Sequence, residues 1–200
     1  MSNWQAILGA IAGCIYLLGF IPYLIAINQG KVKPNRATWW IWTIVGFILV
    51  FSYRSSGADN SIWVPVSAAV CQLIIAIASL KYGEGGWNSF DLTCLIGAVV
   101  SLWLWWWFKS PLIALTINIT IDFLGALPTI KKSYYKPQTE APFPWTLFWS
   151  ASLLNLFVVE NFSFELFAYP FSFFSVTTVI LFLLLLPRLQ QKKFVSTGKK

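Results

Sequence analysis

No histidine occurs anywhere in these 200 residues, and only seven side chains are acidic. Without histidine the chain lacks the usual general base, the common haem ligand and most zinc sites. Cysteine is scarce as well. The three that exist, Cys14, Cys71 and Cys94, are odd in number, lie inside apolar runs and have no metal-ligand spacing. That argues for small buried hydrophobes and against a disulfide framework. There is no glycine-rich phosphate loop, nucleophile elbow or pair of metal-binding carboxylates. The glycine-rich "YGEGG" at 82–86 reads as a flexible turn, and the last apolar run has no lysine for a retinal Schiff base. Enzyme chemistry, a metal and a cofactor are therefore not expected.

Charge is the other deficit. Charged residues make up 10% of the chain against 58% apolar, where a soluble domain carries about 25% charge. Seven apolar runs follow, at 4–27, 37–53, 61–81, 90–108, 111–130, 143–159 and 164–187. Most approach the ~20 residues that cross a hydrocarbon core as a helix, and none alternates as a barrel strand would. A lipid bilayer is thus the expected partner. The net charge of +7 could suggest nucleic acid, but its placement excludes that. All basic residues except Arg54 and Lys109 fall after the first, third, fifth and seventh runs. By the positive-inside rule the N-terminus is outside, the basic tail at 188–200 is cytoplasmic, and the chain is a multi-pass protein of the plasma (inner) membrane. The first run lacks a basic leader, which argues against a cleaved signal peptide.

Proline supplies the internal pattern. "LGFIP" at 18–22 returns as "LGALP" at 124–128, each followed by lysines. Leu18, Gly19 and Pro22 match Leu124, Gly125 and Pro128; Trp42 is paired with Trp149; and "PVS" at 65–67 matches "PFS" at 170–172. The reading is a first triple-helix repeat at 4–82, a connecting transmembrane helix at 88–109 and a second triple-helix repeat at 110–187. One connecting helix inverts the chain, so both triplets run the same way through the membrane.

This plan resembles that of the SWEET sugar facilitators and their PQ-loop relatives. The stretches "DFLGALPTIKKSYYKPQTE" and "KYGEGGWNSFDLTC" are similar to those of a group of small bacterial membrane proteins. Tyr23 and Thr129 stand where the PQ-loop dipeptide has glutamine, and Val66 and Phe171 where sugar facilitators have asparagine. The resemblance implies an all-α bundle of seven transmembrane helices with a solute held between the triplets. It also implies hinges at Pro22 and Pro128, since proline removes a backbone hydrogen bond and bends a helix. The other reading is that these prolines simply end their helices.

Asp122 is the most informative single residue, because a carboxyl near the middle of an apolar span costs roughly 3 kcal/mol or more to insert. Asn118, four residues earlier, shares its helix face. Both are candidate solute or proton ligands; the alternative is a carboxyl that joins helices by hydrogen bonding. Tyr16, Gln72, Asn155, Ser172 and Ser175 are candidates for the same polar lining. Trp42 and Trp149 would be aromatic walls, or plain packing. The tryptophans of "WLWWWF" at 103–108 read as an interfacial belt.

Two functions follow as expectations. One is a carrier moving a small polar solute by alternating access, as a uniporter or linked to protons. The other is a receptor or accessory subunit that binds a ligand or partner without transport. Both a homo-oligomer and a membrane-protein partner are compatible with the sequence.

Overall fold

The computed structural model describes residues 3–85, 88–108 and 111–197. Lys109, Lys199 and Lys200 lie outside the described residues, and of the tail beyond Pro187 only the helical backbone to Thr197 is described. The fold is all-helical, with no strand among the described residues. The described residues form seven α-helices, α1 (Asn3–Asn28), α2 (Arg36–Ser55), α3 (Trp63–Tyr82), α4 (Ser89–Phe108), α5 (Pro111–Tyr135), α6 (Pro142–Phe157) and α7 (Phe164–Thr197). Among the described residues, four helices are long and apolar enough to cross a membrane: Trp4–Asn28, Arg36–Ser55, Trp63–Tyr82 and Phe164–Pro187.

Local chemistry sets the boundaries. Asn35 caps α2 by accepting the Thr38 N–H at 3.1 Å, and Asn88 caps α4 by accepting that of Asp91 at 2.9 Å. Proline opens α5 and α6, where its missing N–H costs nothing. Gly85 has a φ of +69°, and a Cβ there would lie 2.6 Å from Asp91 Oδ2. Only glycine fits this turn between α3 and α4.

Pro22 and Pro128 do not end their helices. Each lies inside one, and the chain stays helical to Asn28 and Tyr135. The carbonyls of Leu18 and Leu124 thereby lose their usual amide partners, which softens α1 and α5 at matching places.

Six helices form a closed ring in the order α1, α3, α2, α5, α7, α6. Within each triplet the third helix sits between the other two, and the triplets meet along two seams, α1 against α6 and α2 against α5. The fourth helix packs outside the ring on α5 and, more lightly, on α2. One core cluster draws on all six ring helices; a smaller one of Ala37, Ile41, Val45, Cys94 and Ile121 fills the space among α2, α4 and α5.

Outward faces are apolar too. Ile7, Ile11, Leu18, Ile21 and Ile25 of α1 are all 45–61% exposed. An exposed stripe of this size is unfavourable in water and at ease in lipid.

A glycine lets each seam close. A Cβ on Gly19 would lie 2.9 Å from Leu147 Cβ and 3.0 Å from the Phe148 ring; one on Gly125 would lie 2.7 Å from Ile41 and 3.1 Å from the Trp42 ring. Gly125→Val or Gly19→Val is expected to lower stability by about 1–3 kcal/mol through overpacking. Thermal unfolding in detergent checks this; an unchanged midpoint for both would mean that the seams are loose.

Candidate functional site

The fifth helix carries the centre of the site. Burial at 7% exposure leaves Asp122 Oδ2 without a hydrogen-bond partner, and one turn away Asn118 is 0% exposed with both amide atoms unpartnered. Across the seam, the Trp42 indole N–H donates to the Asp122 backbone carbonyl at 2.9 Å. Tyr16 of α1 and Tyr169 of α7 both lie within electrostatic reach of the Asp122 carboxyl. Tyr16 in turn packs on Phe148 at 4.7 Å and Phe173 at 5.9 Å between ring centres. Asp122 of α5 is thus hydrogen-bonded to α2 and within electrostatic reach of phenols on α1 and α7.

Two further sequence candidates are buried and unpartnered: Gln72 Oε1 in α3, and both amide atoms of Asn155 near the far end of α6. A Cβ on Gly46 of α2 would lie 2.5 Å from Gln72 Oε1, so that amide reaches into the α2–α3 contact.

The others lie apart. Ser172 and Ser175 line a lateral, mainly apolar cavity of about 700 Å3 between α5 and α7, with Thr116, Ile119 and Phe167. The Ser175 hydroxyl is satisfied by the Phe171 carbonyl at 2.7 Å. Trp149 is half-buried on the α6–α7 side, donating to Thr178 at 2.9 Å and packing on Phe174. The ring that stands toward Gly19 as Trp42 stands toward Gly125 belongs to Phe148. The edge-on pairs Trp39–Trp42 and Trp145–Phe148, 5.3 and 5.7 Å between centres, repeat that relation.

Sequence reasoning missed the groups that close the two ends. At the lysine-bearing end the Glu140 carboxylate, 0% exposed, is paired with Lys132 at 2.6 Å. It also accepts the Tyr23 hydroxyl at 3.1 Å and the Trp145 indole N–H at 3.0 Å. Lys132 donates as well to the carbonyl of Lys33, whose own N–H bonds the Thr139 carbonyl at 3.1 Å. Tyr23 and Lys33 come from the first triplet, the rest from the second. Nearby, a cavity of about 390 Å3 is lined by Asn35, Glu84, Asn88, Asp91, Pro128 and Lys131.

The opposite end mirrors this. Glu160, between α6 and α7, accepts the backbone N–H groups of Asp59 at 2.9 Å, Asn60, and Ser61 at 3.1 Å, and the Ser61 hydroxyl at 2.8 Å. Tyr53 of α2 donates to the Leu166 carbonyl at 2.8 Å. Burial raises the Glu160 pKa, but the Ser61 hydroxyl and the backbone donors outweigh it, leaving it below its ordinary value. A lowered pKa means that this clasp stabilises the closed end above the ordinary glutamate value of about 4.3 and weakens as pH falls through the lower folded value. Hydrogen-exchange protection of the Asn60 and Ser61 amides should therefore persist at neutral pH and fall on acidification below about pH 4. Protection independent of pH in Glu160→Gln would agree; equal pH dependence in that variant would contradict it.

No family model matches the chain, and no curated protein or solved structure matches it.

Proposed function

We propose that the chain is an integral membrane carrier that moves a small polar solute by alternating access between two triple-helix bundles, α1–α3 and α5–α7, with α4 as the connecting inversion helix. The observation that carries this reading is the arrangement at the seam. Each end is held shut by an acid reaching from the second triplet to the first, while the Asn118 amide and Asp122 Oδ2, both unpartnered, are buried between. Release of the Glu140 cluster would open one end and release of Glu160 the other, each by rocking one bundle against its neighbour about Pro22 and Pro128. The same helix order in both triplets supports the parallel-repeat reading and its likeness to the SWEET plan. Lysine placement gives the orientation: the Glu140 end is cytoplasmic, the Glu160 end outside, in the plasma (inner) membrane.

Purified protein in sealed vesicles provides the test, with labelled sugars, amino acids and amines offered at one face. The proposal expects saturable uptake of at least one class, lost or altered in pH dependence in Asp122→Asn. Uptake with unchanged pH dependence in that variant would remove Asp122 from the mechanism.

One observation favours a second reading. Trp39, Trp42, Trp145, Phe148 and Tyr23 pack ring against ring across the seam near the Glu140 end. A dry aromatic seam suits a receptor or accessory subunit that binds without transport. Ligand binding with no flux, or co-purification with a stoichiometric membrane partner, would select it.

A further inference from the structure

Resting on the carrier reading, we infer that the solute is a compact organic cation, held by the Asp122 carboxylate between aromatic rings. Asp122 Oδ2 is buried and unpartnered, and Asp122 takes part in none of the ion pairs among the described residues. Arg54, Lys132 and Lys136 pair with acids at the two ends of the ring. A carboxylate sunk this deep without a cation of its own is costly, and a positively charged ligand is the partner that offsets the cost.

The surroundings fit such a ligand better than a sugar. Trp42 reaches the Asp122 backbone carbonyl from α2, Tyr16 of α1 and Tyr169 of α7 lie within electrostatic reach of the carboxyl, and Phe148 and Phe173 extend the aromatic surface behind Tyr16. Ring faces attract ammonium groups, most strongly where water is excluded. A polyol needs many donors and acceptors on its walls, whereas Phe148 and Phe173 offer none. Asn118 adds one amide about 6 Å along the helix. With both of its polar atoms unpartnered, it suits a single hydroxyl or carbonyl on the ligand.

Choline, its neutral isostere 3,3-dimethylbutan-1-ol and glucose are the probes, titrated calorimetrically into the wild-type protein in lipid nanodiscs. Choline is expected to bind, the isostere at least about tenfold more weakly, and glucose not measurably. Asp122→Asn should lose choline binding and Asp122→Glu recover part of it. Equal binding of choline and the isostere, glucose binding without choline binding, or no binding of any probe at millimolar concentration would overturn the inference. The isostere comparison needs no variant, so it decides the matter even if Asp122→Asn fails to fold. Vesicle flux separates this inference from the reading beneath it. Choline binding without flux would sink the carrier and keep the cation site; sugar flux without choline binding would do the reverse.

Discussion

Glu140→Ala is expected to cost about 3–5 kcal/mol of stability. Its carboxylate is fully buried and is the shared acceptor for Lys132, Tyr23 and Trp145. Removing it leaves the Lys132 ammonium, 6% exposed, with only a carbonyl for company. It also orphans the phenol and indole donors. Breaking a buried pair costs more than never having built one. Glu140→Leu combined with Lys132→Met should therefore recover the part of the loss that comes from the unpaired ammonium, while the Tyr23 and Trp145 donors stay orphaned and the basic end unfastened. Thermal unfolding in a mild detergent reads both effects. A Glu140→Ala protein within about 1 kcal/mol of wild type would show that this carboxylate is not the hub of a buried network.

Cross-linking either end should reduce flux to background. Lys33 and Thr139 are joined backbone to backbone at 3.1 Å, and Ser61 and Glu160 through both the backbone N–H and the hydroxyl. A cysteine pair at either position would tie one triplet to the other. The native exposed Cys14 would be replaced by serine first; Cys71 and Cys94 are buried. A carrier must open both ends in turn, so either bridge alone stops turnover, and reduction restores it. A receptor need open only the face its ligand enters, so one bridge would leave binding untouched. Full flux through both oxidised proteins would end the alternating-access reading.

Much of this architecture could be read from apolar runs, because lipid-spanning helices need length and hydrophobicity more than any particular residue. The seven helices fall within a few residues of the expected spans at their apolar cores. The fifth and seventh run further, to Tyr135 and Thr197, since a polar continuation still keeps its helical hydrogen bonds. Whether Pro22 and Pro128 sat inside or ended a helix was open in the sequence, because a proline permits either and the following residues decide.

Asp122 and Asn118 stood out for one reason: polar groups in an apolar run are conspicuous. Glu140 and Lys132 did not, because both follow the fifth apolar run, in a polar stretch where acids and lysines are unremarkable. Lys132 looked like one of three topology-setting lysines, and only the tertiary turn toward Lys33 distinguishes it from Lys131 and Lys136. Glu160 was hidden in the same way, among loop residues. Trp149 illustrates a different limit. Matching tryptophan to tryptophan slipped the alignment by one residue, whereas keeping the spacing of Gly19 and Gly125 leads to Phe148, the ring at the seam. Close glycine contacts fix register better than side-chain identity does.

Pulsed spin-label distances across both ends, Lys33 to Thr139 and Asp59 to Glu160, test the central claim most directly, taken in nanodiscs with Glu140→Gln and Glu160→Gln backgrounds. Opposed shifts are predicted: Glu140→Gln lengthens the first distance while the second stays short, and Glu160→Gln, made with its label moved to Asn161, does the reverse. Both distances lengthening together, or neither changing in either background, would contradict two bundles rocking about a shared centre.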